Sequence, residues 1–232
     1  FIDHAETISK HNIDRIVRLG GGIAIQHRMA FQGEYFRDRY GAKALRRTPP
    51  IREMLNAGLP VGAGTDATRV ASYNPFVSLY WLVTGRTLGG LAMYDDGNRL
   101  DRMEALRLWT VGSSWFSSDQ GAKGAIVPGQ LGDLAVISAD YFSIPEEEIK
   151  DLESVLTIVG GKVVYGAAEF ENLAPPAPAI LPEWSPVGTY GRYAKPARVP
   201  VVTHTSAREH VNEHCHPHRQ NGGSFGCQCW AF

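Results

Sequence analysis

The sequence predicts an α/β fold built on a parallel sheet, with a small all-β section after it. Three observations carry this. Short apolar runs alternate with helix-like spacing through the first half of the chain. One run, Val61-Gly62-Ala63-Gly64, breaks at its glycines and is followed at once by Thr65-Asp66. An apolar strand that ends in small residues and then an acid is how parallel α/β proteins place a catalytic group at the carboxyl edge of the sheet. After Ser118 the pattern changes to short β-like runs punctuated by Gly121, Gly124, Gly129 and Gly132.

In chain order, Phe1 to His4 reads as the end of a strand. Ile8, Ile13, Ile16, Val17 and Leu19 share one helical face, and Gly20-Gly21-Gly22 ends that helix. Ile23 to Gln26 is a short buried strand with His27 just past its end. Residues 28–48 read as a polar, aromatic loop, with Glu34 as a lid residue or a solvated charge. Pro49-Pro50 opens a helix over 51–56 that Gly58 closes. Pro75 starts a helix to Thr84 that is apolar nearly all round and so is expected to be buried. Residues 85–98 form a glycine-rich loop. Asp101 and Glu104 stand at capping-box spacing before the next helix. Trp81, Trp109 and Trp115 fall at helical positions and read as core. Leu134 to Ile137 is a strand, and residues 155–165 form a hairpin turning at Gly160-Gly161. Residues 173–200 read as an extended Pro/Gly-rich segment with Trp184, Tyr190 and Tyr193.

Composition narrows the function classes. The 232 residues are 44% hydrophobic and 20% charged, with a formal net charge of −1, which gives no general pull toward nucleic acid or anionic membrane. No apolar run approaches the ~20 residues of a membrane helix, and no signal sequence is apparent. The chain opens inside an apolar element without an initiator Met, so it is expected to be a piece of something longer or a processed product. All three cysteines, Cys215, Cys227 and Cys229, fall in the tail; a reducing, cytoplasmic setting is the default. The tail also carries His204, His210, His214, His216 and His218. It reads as a polar segment that chelates metal incidentally, because its spacing is not that of a zinc finger.

Three polar groups, His4, His27 and Asp66, follow three successive strands. Such groups converge on one crevice in a parallel barrel or sheet. Imidazole and carboxylate are also the ligand set of zinc and similar divalent ions.

These residues carry a resemblance. Ile2-Asp3-His4-Ala5-Glu6, Ile23-Ala24-Ile25-Gln26 and Gly62-Ala63-Gly64-Thr65-Asp66-Ala67 resemble the last three barrel strands of the amidohydrolase superfamily, in the branch similar to N-substituted formamide deformylase. Glu104-Ala105-Leu106 with Thr110, the run from Gly124 to Val136, and the hairpin from Val159 to Tyr165 agree with it, although Gly132 stands where Ala is common. The resemblance covers about residues 1 to 170 and implies the C-terminal part of a (β/α)8 TIM-like barrel plus strands of a small β-sandwich subdomain. The expected division is βα units over 1–118, β-sandwich strands over 119–170, and an extended segment with the His/Cys-rich tail over 171–232.

The resemblance implies a metal-dependent hydrolase acting on a non-peptide C–N bond of amide or formamide type. His4 would be a metal ligand, and Asp66 both ligand and proton shuttle. Apart from the resemblance, Gln26 and His27 at the middle strand end, and Arg69 and Tyr73 just past Asp66, are secondary candidates to touch substrate. The plainer alternatives are His27 as a satisfied structural histidine and Arg69 paired to an acid such as Glu34. The cofactor would be a divalent metal, zinc by preference, and the substrate a small amide-type molecule. The family also needs a His-x-His pair on its first strand and a further coordinating residue, which these strands lack. The chain is therefore expected to be an incomplete C-terminal part that binds metal poorly and catalyses little alone, with a complementing N-terminal part or a homo-oligomer as partner. A different class remains open: a non-catalytic remnant or assembly partner with a metal-binding tail. A dihydropyrimidinase-like or lactonase-like hydrolase would differ only in its pocket.

Overall fold

A computed structural model of the chain describes residues 1–67, 71–176, 191–192 and 195–196. The chain divides into two compact units, residues 1–179 and 180–232. In the first unit, β1 (Ile2–Asp3), β2 (Ile23–Gln26) and β3 (Val61–Gly64) form a parallel sheet in the order β1-β2-β3. Ile23 pairs with both Ile2 and Val61, and Gln26 lies opposite Gly64. Ile23 and Ile25 are wholly buried, as a strand covered on both faces requires.

The helices between these strands follow local rules. In α1 (Lys10–Arg18), Ser9 caps the first turn by accepting from the Asn12 amide, and Gly20 at φ 67° ends the helix. The loop expected over 28–48 is instead α2 (Met29–Tyr40) and α3 (Ala42–Leu45), hinged at Gly41 with φ 83°. Met29, Ala30, Gly33 and Phe36 form its buried face, at helical spacing. Phe31, Tyr35 and Tyr40 point outward and hide that period in the sequence. Glu34 belongs to α2 and accepts a very short hydrogen bond from the Thr87 hydroxyl, so it is neither on a loop nor a solvated charge. α4 (Ile51–Asn56) runs as expected to Gly58.

Asn74 caps α5 (Pro75–Thr84), Pro75 occupies its first position, and Gly85 closes it in the left-handed region. Val77 to Thr84 are all buried, matching a helix apolar on every side. α6 (Arg102–Arg107) has the full reciprocal capping box of Asp101 and Glu104. Glu104 also takes both terminal nitrogens of Arg52, at 2.6 and 2.8 Å. α6 continues into a π-helical turn, Leu108–Gly112, that lies against β3. A β-carbon on Gly112 would stand 2.4 Å from the Val61 carbonyl oxygen, so this approach needs glycine. Ser113 donates to the Ala63 carbonyl at 2.9 Å and so satisfies a β3 acceptor.

The β section forms an antiparallel sheet of β4 (Leu134–Ile137), β5 (Ser154–Val159) and β6 (Lys162–Gly166). Its hairpin turns at Gly160 and Gly161, both at positive φ. A 3₁₀ helix over Glu146–Asp151, absent from the expected elements, packs on α5, where Tyr80 donates to Glu147 at 3.1 Å. In the second unit, β7 (Gly191–Arg192) pairs antiparallel with β8 (Lys195–Pro196). Trp184, Tyr190, Tyr193 and the His/Cys-rich tail lie outside the described residues. No helix among the described residues is long and apolar enough to cross a membrane.

Candidate functional site

Because β1, β2 and β3 run parallel, their carboxyl ends share one edge. His4 leaves β1 there and Asp66 stands two residues past β3. Their side chains approach to 3.7 Å, His4 Nε2 to Asp66 Oδ2. The strands that carry them are not neighbours, for β2 lies between. Adjacent strands are about 4.8 Å apart, so the two side chains must lean toward each other across the end of β2. Both backbones are unusual: φ is 71° at His4, 54° at Ala5 and 51° at Asp66. A left-handed conformation costs a non-glycine residue on the order of 1–2 kcal/mol. The side chains are 37% and 45% exposed, and an ion pair this open to water adds little stability. Strain held at two facing strand ends, without a stability return, is typical of functional sites.

Gln26, at the end of β2, sits between them. Its Oε1 accepts from the His4 backbone amide at 3.1 Å, and its Nε2 donates to Asp3 Oδ1 at 3.3 Å. The same His4 amide also donates to the Ala24 carbonyl at 2.8 Å. The His4 Nδ1 atom is buried and has no hydrogen-bond partner among the described residues.

His27 follows Gln26 and has no exposed surface. Its ring packs at 5.6 Å from that of Phe31. Burial pushes its pKa below the usual value, against the opposing influence of backbone groups at Gly64 and Ser72. Those groups lie near the ring without reaching good hydrogen-bond geometry, since neither ring nitrogen has a partner among the described residues. A ring enclosed in this way has no surface open to solvent. Tyr73 is 58% exposed in the turn before α5, and Arg69 lies outside the described residues.

The structure therefore brings together His4 and Asp66. Asp3 was missed as part of this edge; only the β1–β2 register puts its carboxylate within reach of Gln26. Glu6 was missed as well. Its Oε1 is buried without a partner among the described residues; burial, with Glu6 nearby as a lesser cause, pushes the Tyr94 hydroxyl well above the usual tyrosine range. An acid two residues beyond a strand-end histidine was the available signal.

His4 and Asp66 are the right kind of donors for a divalent ion, an imidazole nitrogen and a carboxylate oxygen. Among the described residues no group of three His, Cys, Asp or Glu is placed to hold a metal. The pair thus fits part of a coordination shell. A separate groove of about 470 Å³ lies between α1 and α4, lined by Lys10, Asp14, Arg18 and Glu53 among others. It belongs to the helical layer and does not include the strand-end residues.

Comparison with known proteins places these features. The amidohydrolase family model matches residues 1–165. The chain is 24% identical over 165 residues to a putative amidohydrolase, YtcJ, of Bacillus subtilis, covering 70% of this chain and 31% of that protein. It is 28% identical over 116 residues to the N-substituted formamide deformylase of Arthrobacter pascens, covering 50% of this chain and 21% of that one. It thus spans about a third or less of these curated relatives. Among solved structures, a metal-dependent hydrolase of Pyrococcus horikoshii superposes with a TM-score of 0.53 at 18% identity, over 62% of this chain and 30% of its own. Atrazine chlorohydrolase from Arthrobacter aurescens, a mutant complexed with zinc and atraton, superposes with a TM-score of 0.52 at 22% identity, over 75% and 37%. Those likenesses concern the fold. With the family model covering most of its length, the chain belongs to the amidohydrolase family.

Proposed function

We propose that this chain supplies one side of the active site of a metal-dependent hydrolase that cleaves a non-peptide C–N bond of amide or formamide type. The observation that carries the reading is the His4–Asp66 approach of 3.7 Å across the end of β2. Family membership and the similarity to a formamide deformylase support the reaction class.

The parallel sheet is then the last part of a barrel, and β4 to β6 belong to the accompanying sandwich. β1 is an edge strand, and Phe1 before it and Ile2 within it stay 68% and 46% exposed. A strand of a complementing polypeptide, or of a second copy, would pair there and bring the remaining ligands.

His4 would hold a divalent ion, zinc by preference, through Nε2, and Asp66 would do so through its carboxylate. The ion, when bound, acts as a Lewis acid on the scissile carbonyl. Asp66 is open enough to take a proton at Oδ2 from an attacking water and pass it to the leaving amine. Its left-handed backbone turns the carboxylate toward His4. Arg69 and Tyr73 follow Asp66 in the sequence and would meet substrate. His27, wholly buried just past β2, would act as a structural support. A reducing, cytoplasmic setting suits a chain whose cysteines are confined to its tail.

The test is amine release from N-substituted formamides by the chain assembled with the remaining barrel strands. Asp66→Asn should lower kcat/KM by about a hundredfold or more, the usual range for losing a general acid–base. Unchanged turnover in that variant would exclude the role given to Asp66.

A further inference from the structure

We infer that Gln26 is the positioning residue of this edge: its side chain holds His4 in the strained conformation that turns the imidazole toward Asp66. The inference rests on the proposed reading only for what the pair does; the geometry stands apart from it.

His4 and Ala5 are two consecutive non-glycine residues in the left-handed region, a conformation that decays to extended backbone unless something holds it. The sheet reaches His4 through one bond, from its amide to the Ala24 carbonyl at 2.8 Å, but β1 itself ends at Asp3 and Gln26 shares that amide. What lies beyond is the side chain of Gln26, only 9% exposed, on the central strand. It uses both ends. Its carbonyl oxygen takes the His4 amide at 3.1 Å, and its amide nitrogen grips the Asp3 carboxylate at 3.3 Å. The second contact fixes which end of the Gln26 amide faces which partner. With Asp3 accepting, only the oxygen is left for His4. The arrangement is a part-buried, polarity-defined link from β2 to the residue that faces Asp66. Gln26 touches neither imidazole nor carboxylate of the pair, so it acts through the His4 backbone.

The test uses the full chain with three changes. Gln26→Met keeps length and bulk and removes both polar contacts. Gln26→Glu sets a carboxylate against Asp3. Gln26→Glu combined with Asp3→Asn reverses the donor and acceptor of that contact while leaving an oxygen for the His4 amide. Crystal structures read the His4 conformation directly. The expected result is that His4 leaves positive φ and separates from Asp66 beyond 4 Å in both single variants, and that the double change restores both. Co²⁺ titration gives a second readout, an expected loss of about tenfold in affinity in Gln26→Met, recovered in the double variant. A His4 that keeps its φ and its 3.7 Å approach in Gln26→Met would overturn the inference, as would a double variant that stays displaced. A wild-type chain that binds no Co²⁺ even when assembled with the remaining barrel strands would sink the metal reading instead, and the His4 geometry would still decide the role of Gln26.

Discussion

His27 shows how a single side chain reports on the edge it supports. It is buried and kept neutral by its surroundings, with its pKa below the ordinary value of 6.5. In the unfolded chain the same imidazole takes up a proton near pH 6.5. Below that pH, down to the lowered folded value, the unfolded state binds more protons, so folding stability falls as pH falls. Urea unfolding between pH 7.5 and 5.5 should show this loss, and His27→Gln should flatten it across that window. The positions of His4 and Asp66 could be read from the sequence, because each follows an apolar strand. Their approach could not be read, because β2 separates their strands and the contact depends on two left-handed backbones. Arg69 was named as a substrate contact and lies outside the described residues.

At the scale of elements, local chemistry was legible where it is self-contained. The Asp101–Glu104 capping box, the Pro75 start of α5 and the two-glycine hairpin all stand in the structure where their residues put them. Asp101→Ala removes the cap and is expected to cost about 1 kcal/mol. Thermal unfolding should register this as a drop of about 2–4 °C. Gly112→Ala should cost more, about 1–3 kcal/mol, because the new methyl meets the Val61 carbonyl, a backbone group that cannot turn aside. A melting temperature equal to wild type would show that the π-helical turn does not press on β3. What the sequence hid was α2, whose outward aromatics masked its buried face, and two six-residue 3₁₀ helices, Glu146–Asp151 and Ala168–Leu173. Six residues with tertiary partners give too short a period to read.

At the scale of the molecule, the parallel order of β1, β2 and β3 was legible because each βα unit returns the chain to the same edge. The same order explains why the candidate site is partial. Three adjacent strands can present only neighbouring corners of a coordination shell, and here they present His4 and Asp66. The helical-layer groove between α1 and α4 was not legible, since it arises from helix packing and not from any motif. Histidine and cysteine are metal-binding side chains and the tail is rich in both, so the tail and the strand-end pair must be separated by experiment. The decisive measurement is metal content after zinc loading and dialysis, on four forms of the chain, each assembled with the remaining barrel strands: wild type, His4→Ala, Asp66→Asn, and a form lacking residues 203–232. The account expects zinc that survives removal of the tail and is lost in both point variants. Zinc that is lost with the tail, yet survives His4→Ala and Asp66→Asn, would contradict it.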